Sequence, residues 1–179
     1  NNPEDTWESL VNGVSGCAPI TLFDTTNFKT KFACEVKDLN INDYIDRKEA
    51  RKMDRYTQLA IISADQAVKD SGLVSGENIE LGRFGVYVGS GIGGISAFVR
   101  ETGKYLEEGA RRISPLFIPT MIANIASGNI AIRHKAEGPC LPVVTACATG
   151  THSVGEAYHA IKFGFADAII LINLLIIFV

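Results

Sequence analysis

Pro142-Val-Val-Thr-Ala-Cys-Ala-Thr-Gly-Thr-His-Ser-Val-Gly155 decides how this chain is read. It grows out of a short apolar run, Leu141 to Val144, with the length and β-branched content of a buried strand. Around Cys147 the residues become small (Ala146, Ala148, Thr149, Gly150, Ser153, Gly155), and Val154, Ala157, Tyr158 and Ile161 then recur at the spacing of one helical face. Cys147 is therefore expected where a buried strand turns into a buried helix. A sulfur at that place lies near unpaired backbone N–H groups and the positive end of the helix dipole, which favours thiolate over thiol. The same N–H groups can stabilise an oxyanion formed when the sulfur attacks a carbonyl. Position alone also admits a second reading, in which Cys147 is one more buried cysteine packed as a small hydrophobe.

Outward from this segment, strand and helix patterns alternate. Asn2 is placed to cap a helix with Pro3, Glu4 and Asp5 in its first turn and Gly13 at its close. Phe32 to Val36 alternates enough for a short strand, and Asp43 to Asp54 is polar and charged. Tyr56, Leu59, Ala60, Ala64, Ala67 and Val68 form a helical stripe over 55–71, stopped by Gly72. Phe84 to Val88 reads as a strand and Ile95 to Glu108 as the helix after it. Pro115 and Pro119 frame an extended loop, followed by an apolar helix from Met121 to Arg133. The strand before Cys147, its helix through Phe163, Gly164 as terminator and a final apolar strand complete the pattern. The class is α/β with a largely parallel sheet.

At 179 residues with 46% apolar and 21% charged residues, the chain has an ordinary composition for a globular domain with one core. The net charge of −3, without a long run of one sign, marks neither nucleic acid nor an anionic membrane as a partner. The four cysteines (Cys17, Cys34, Cys140, Cys147) include no C-x-x-C pair and no ligand-like cluster with the three histidines. That speaks against a metal site and for reduced thiols in a cytoplasmic setting. No signal peptide and no run of about 20 apolar residues is found. Both ends read as cut: the chain starts at Asn1 directly before a helix and stops inside the apolar run from Ile169 to Val179.

Thr145-Ala-Cys-Ala-Thr-Gly150 followed by His152-Ser-Val-Gly-Glu-Ala157 resembles the active-site segment of the beta-ketoacyl-acyl carrier protein synthases, most closely those of the elongating type II. Arg47-Lys-Glu-Ala-Arg-Lys-Met-Asp54, Val88-Gly-Ser-Gly-Ile-Gly-Gly94 and Ile113-Ser-Pro-Leu-Phe-Ile-Pro119 agree in order and spacing, and the resemblance runs over roughly residues 1–170. It implies a thiolase-like fold of layered α-β-α-β-α architecture, with residues 1–179 covering most of the N-terminal half. Leu171 to Val179 departs from the family's Gly-rich continuation, so the resemblance does not set the register of 171–179.

The resemblance implies an acyltransferase in which Cys147 is the nucleophile of a decarboxylative Claisen condensation, with acyl and malonyl thioesters of acyl carrier protein as substrates. It implies a homodimer and no cofactor. Ile92 corresponds to a residue lining the floor of the acyl pocket, and Phe117 to one reaching that region across the dimer interface; by itself Phe117 reads as core. Lys48, Arg51 and Lys52 at helical spacing, with Arg111 and Arg112, correspond to the carrier-protein docking surface. Taken alone, these charges read as a solvated helix face, diluted by Glu49 and Asp54.

Two constellations remain. His152 falls about 140° round the helix from Cys147 and His159 about 18 Å farther along the axis, while His134 follows Arg133 in a polar loop, so none is placed as the base. The resemblance assigns the two active-site histidines and a lysine to the half of the family's chain not present here. Gly89-Ser-Gly-Ile-Gly-Gly94 after a strand also satisfies G-x-G-x-x-G, a dinucleotide fingerprint. Glu107 and Glu108 then lie at the end of a helix instead of after a second strand, which favours a purely structural turn. Three rivals to fatty-acid elongation stay open: a type II polyketide ketosynthase subunit, a degradative thiolase, and a non-catalytic fragment.

Overall fold

The computed structural model describes residues 2–174. They divide into two compact units, 2–41 and 42–174, each taken separately below.

In the first unit, α1 (Pro3–Val11) starts as the sequence requires: the Asn2 side chain accepts from the Asp5 N–H at 2.7 Å, Pro3 occupies the first turn, and Asn12 closes the helix. The expected strand over Phe32–Val36 shortens to two residues. β1 (Ala18–Pro19) pairs antiparallel with β2 (Phe32–Ala33), a partner the sequence pattern did not reveal. The Glu35 carboxylate fastens this ribbon, accepting from the Thr21 hydroxyl at 2.7 Å and from the amides of Thr21 and Leu22.

The second unit is built on three parallel strands in the order β4-β3-β5: β3 (Phe84–Ser90) is central, β4 (Cys140–Val143) and β5 (Ala168–Leu174) flank it. Its helices are α2 (Arg47–Ala50), α3 (Arg55–Ser71), α4 (Ile95–Glu108), α5 (Phe117–Met121), α6 (Ile125–His134) and α7 (Thr149–Lys162). Central position explains why all seven residues of β3 are buried. One parity of the sheet, Tyr87 with Ile169 and Leu171, packs on Ala157 and Ala160 of α7. The other, including Val86, Val88, Ile170 and Ile172, is left to α3 and α6, which contact β5 and β3. Arg83 grips Asp167 through both carboxylate oxygens, and the Asp167 N–H returns to the Arg83 carbonyl at 2.8 Å. This fixes the starts of β3 and β5 side by side.

The boundaries of α3 and α4 fall where periodicity places them, and Gly72 ends α3. The buried face of α3 is rotated, however: Thr57, Ile61 and Ile62 are buried and Ala67 is exposed, because the sheet and α6 lie over the former. The Pro115–Pro119 segment is not simply extended. Pro119 is the third residue of α5, a first-turn position where its missing N–H has no partner to lose. The helix expected from Met121 begins at Ile125 and includes His134 as its last residue. No helix among the described residues is long and apolar enough to cross a membrane. The part of the final strand expected beyond Leu174 lies outside the described residues.

Tyr56 ties α3 to the α5–α6 turn, its fully buried ring ending in a hydroxyl that donates to the Ile122 carbonyl at 2.6 Å. Tyr56→Phe leaves that carbonyl without its partner and is expected to lower unfolding free energy by about 1–2 kcal/mol, measured by urea denaturation with an unchanged slope.

Candidate active site

Cys147 stands at the C-terminal end of the parallel sheet, in a short 3₁₀ turn, Ala146–Ala148, between β4 and α7. Its side chain is exposed. The turn is sharp because Ala146 is left-handed at φ 49°, a conformation that costs an alanine about 1–2 kcal/mol. Strain of this kind at a strand-to-helix corner pushes the next side chain outward, the logic of a nucleophile elbow. Local hydrogen bonds hold the corner: the Thr145 N–H donates to the Thr149 hydroxyl at 2.9 Å and the Ala148 N–H to the Thr145 carbonyl at 3.1 Å.

What lies under this corner was only partly legible. Leu141 and Val144 are each 49% exposed, not buried, because among the described residues β4 is an edge strand paired only with β3. Pro142, which cannot donate to a ladder, suits that edge. Likewise α7 does not bury the stripe read from apolar spacing. Thr149, Ser153, Ala157 and Ala160 face the sheet, whereas Val154, Tyr158 and Ile161 are exposed.

Small size wins over hydrophobicity here because α7 lies directly on Gly89. A Cβ on Gly89 would meet Thr149 Cγ2 at 2.7 Å and Ser153 Oγ at 3.0 Å, and would strike Asn173 Oδ1. Gly89 pairs with Val143 on one side and Asn173 on the other, so this close approach sits level with the end of β4. Ser153 donates back to the Thr149 carbonyl at 2.8 Å and is also bonded to Asn173.

The glycine turn after β3 is packed tightly against α5. Gly93 is left-handed at φ 86°, and a Cβ there would meet the Met121 carbonyl at 2.8 Å; one on Gly94 would strike the Thr120 carbonyl. Backbone of α5 thus lies against Gly93 and against Gly94, the last glycine of the G-x-G-x-x-G pattern, which accounts for those glycines as packing positions. The amides at the start of α4 are also engaged: Gly94 N–H donates to the Met121 carbonyl at 2.8 Å, and Ala97 N–H to Asp54 Oδ2 at 2.6 Å. Asp54 caps α3 as well, so one buried carboxylate joins two helix N-termini. The sequence offered Asp54 only as a diluting negative charge.

Ile92, on this turn, is 56% exposed, and Phe117 is half-buried with its ring 6.4 Å from that of Phe98. Lys48, Arg51, Lys52, Arg111 and Arg112 are all exposed. The first three lie just before Asp54, which touches the start of α4; the last two follow the end of α4, with Arg112 held by Glu108 at 2.7 Å. They form two separate spots, and α2 contributes only a single turn.

The histidines are engaged elsewhere. His152 contacts Thr145 Oγ1 at 3.3 Å and Glu156 at 3.4 Å, while the His159 ring makes tilted contacts with the rings of Tyr158 and Phe163. His134 is half-buried at the end of α6, with Nε2 3.0 Å from Asp65. Among the described residues none of these contacts involves Cys147.

The parallel sheet, the strained turn and the exposed thiol together describe an α/β protein with a cysteine presented at the head of a helix. The profile of the beta-ketoacyl synthase N-terminal domain matches residues 1–171, and the chain belongs to the beta-ketoacyl synthase family. A 3-oxoacyl-[acyl-carrier-protein] synthase 2 of Staphylococcus aureus is 46% identical over 170 residues, 95% of this chain and 42% of its own length. The Vibrio cholerae protein of the same name is 43% identical over 171 residues, again 95% of this chain and 41% of that one. This chain thus spans well under half the length of these relatives. Among solved structures, the ishigamide ketosynthase/chain length factor superposes with TM-score 0.82 at 30% identity, covering 93% of this chain and 41% of that one. A beta-ketoacyl synthase from Burkholderia phymatum shares the fold with TM-score 0.77 at 24% identity, over 92% of this chain and 41% of that one. The fold is the thiolase-like fold of the ketosynthases.

Glu101 is the site-supporting residue that sequence reading missed. Buried in α4, it accepts from Lys104 at 2.9 Å, the Ser114 N–H at 2.8 Å and Arg100 at 3.1 Å, and so anchors the loop leading to Phe117. Lys104 first, then the Ser114 amide, hold its carboxyl down at about 2. Its contribution to stability is therefore complete above the ordinary carboxylate value of 4.5 and is lost as pH falls from there through about 2. Glu101→Gln is expected to flatten the melting temperature's dependence on pH in that window, followed by circular dichroism.

Proposed function

We propose that the intact protein is a 3-oxoacyl-acyl carrier protein synthase of fatty acid elongation, and that this chain supplies its nucleophile. The observation carrying this reading is the exposed Cys147 directly after left-handed Ala146, at the head of α7, in a chain of the beta-ketoacyl synthase family. The Cys147 thiolate attacks the carbonyl of an acyl thioester on the carrier protein, and the tetrahedral oxyanion, met by the Cys147 backbone N–H, collapses to expel the carrier's thiol. Malonyl carrier protein then loses carbon dioxide. Its carbanion attacks the acyl-cysteine, releasing a 3-oxoacyl product two carbons longer and restoring the thiolate. The thioester supplies the activation, so neither metal nor organic cofactor is required. The two histidines and the lysine that manage decarboxylation are assigned to sequence outside this chain.

Ile92 and Phe117 are the residues we assign to the acyl pocket, and Lys48, Arg51, Lys52, Arg111 and Arg112 to docking of the acidic carrier protein. A solved ketosynthase in complex with a type II polyketide acyl-carrier protein, 22% identical, shares the fold (TM-score 0.65) over 73% of this chain and 38% of its own. We further assign a homodimer, supported by the exposed stripe of Val154, Tyr158 and Ile161 on α7 beside the unpaired edge of β4, and a cytoplasmic location. The polyketide alternative is less favoured, since the two relatives reported at 46% and 43% identity are both named 3-oxoacyl-[acyl-carrier-protein] synthase 2. We assign residues 1–179 to most of the N-terminal half of a thiolase-like enzyme.

In the full-length protein, Cys147→Ala is expected to abolish both the acyl-enzyme mass adduct and condensation, whereas Cys17→Ala and Cys34→Ala retain them; equal loss in all three would remove Cys147 from the mechanism. The 179-residue chain alone is expected to show no condensation in the same assay. Reversing charge at Lys48 and Arg51 together is expected to raise KM for carrier-protein substrates on the order of tenfold with kcat little changed, an effect that shrinks as salt is added.

A further inference from the structure

The first unit holds a second pair of thiols that the proposed chemistry does not use. In the β1–β2 ribbon, Ala18 lies opposite Ala33 and Pro19 opposite Phe32, so the same register sets Cys17 opposite Cys34. The Ile20 N–H donates to the Lys31 carbonyl at 3.1 Å, which marks that pair as hydrogen-bonded. Alternation along an antiparallel ladder then makes Cys17 and Cys34 a non-hydrogen-bonded pair, in which Cα atoms approach to about 4.5 Å. A disulfide spans Cα separations of about 4.4–6.8 Å, and the spacing of a non-hydrogen-bonded pair falls within that range. Both side chains are exposed. Partial desolvation and then the neighbouring Cys34 hold the Cys17 thiol above its ordinary value, with Lys37 acting in the opposite direction.

We propose that Cys17 and Cys34 are a reversible dithiol–disulfide site, oxidised by low-molecular-weight disulfides of the glutathione class. One cysteine thiolate attacks the small disulfide, forming a mixed disulfide and releasing one small thiol. The second cysteine attacks the protein-bound sulfur, forming the Cys17–Cys34 bond and releasing the other small thiol. Two protein thiols are oxidised, one external disulfide is reduced, and the two cysteine protons leave on the released thiols. Each strand is only two residues long, and a two-stranded ribbon is marginal by itself. A bond at Cys17–Cys34 closes the ribbon on the side of Ala18–Ala33 away from its loop, while Glu35 clasps Thr21 and Leu22 beyond. Oxidation therefore adds a covalent closure to a ribbon whose paired strands are only two residues each.

The test is to equilibrate the protein with oxidised and reduced glutathione at neutral pH, quench with acid, alkylate the free thiols and map tryptic peptides without reduction. The expected first oxidised product joins the peptides containing Cys17 and Cys34, ahead of any modification at Cys140, and dithiothreitol reverses it. Cys17→Ser and Cys34→Ser, both at exposed positions, should each replace the linked peptide with a glutathione adduct on the remaining cysteine, and Cys140→Ser should leave it unchanged. Independent glutathione adducts on Cys17 and Cys34 in the unaltered protein, with no linked peptide at any ratio, would overturn the proposal.

Discussion

The second unit depends on a side chain that is missing. Gly89, at the end of the central strand, lets the first turns of α7 rest directly on the sheet, with Thr149, Ser153 and Asn173 in the space a Cβ would occupy. Because β3 lies between β4 and β5, this one approach fixes the height at which β4 must leave the sheet and α7 must begin. The chain between those points is too short for a gradual bend, and Ala146 absorbs the difference by turning left-handed. The exposed thiol of Cys147 follows from that geometry: a small residue below, a strained residue before, and a helix after.

A second constraint is the shared carboxylate of Asp54. It caps α3 and receives the Ala97 amide of α4, so the two helix starts are held by one buried charge in place of separate caps. The glycine turn beside it is filled by the α5 backbone, which brings the segment bearing Phe117 against α4. Glu101 repeats the arrangement farther along α4, fastening Ser114. Buried carboxylates satisfied by backbone N–H groups thus position the stretch that the family resemblance links to the acyl pocket. Fully satisfied networks of this kind restrict a loop to one arrangement, because each unpaired member would carry a desolvation penalty.

The unburied surfaces of the second unit have a common origin. β4 is an edge with Leu141 and Val144 exposed, and α7 turns Val154, Tyr158 and Ile161 outward. An apolar helix stripe beside an unpaired strand edge is the kind of surface that a further layer or a second copy covers.

The sequence by itself determined the alternation of strands and helices, the limits of α3 and α4, the Asn2 cap, and the strand-to-helix corner at Cys147. Each rests on local information: periodicity, capping chemistry and turn residues within a few positions of one another. Tertiary structure alone decided which apolar residues are inside. Val154 and Tyr158 carry the stronger hydrophobic signal, yet Thr149 and Ser153 are buried, since Gly89 on another strand admits only small groups at that crossing. The roles of Asp54 and Glu101, and the meeting of Cys17 with Cys34, likewise join residues separated in sequence by loops whose path no local pattern encodes. Local propensity chooses the elements, but register and close packing between distant segments choose their faces and their partners.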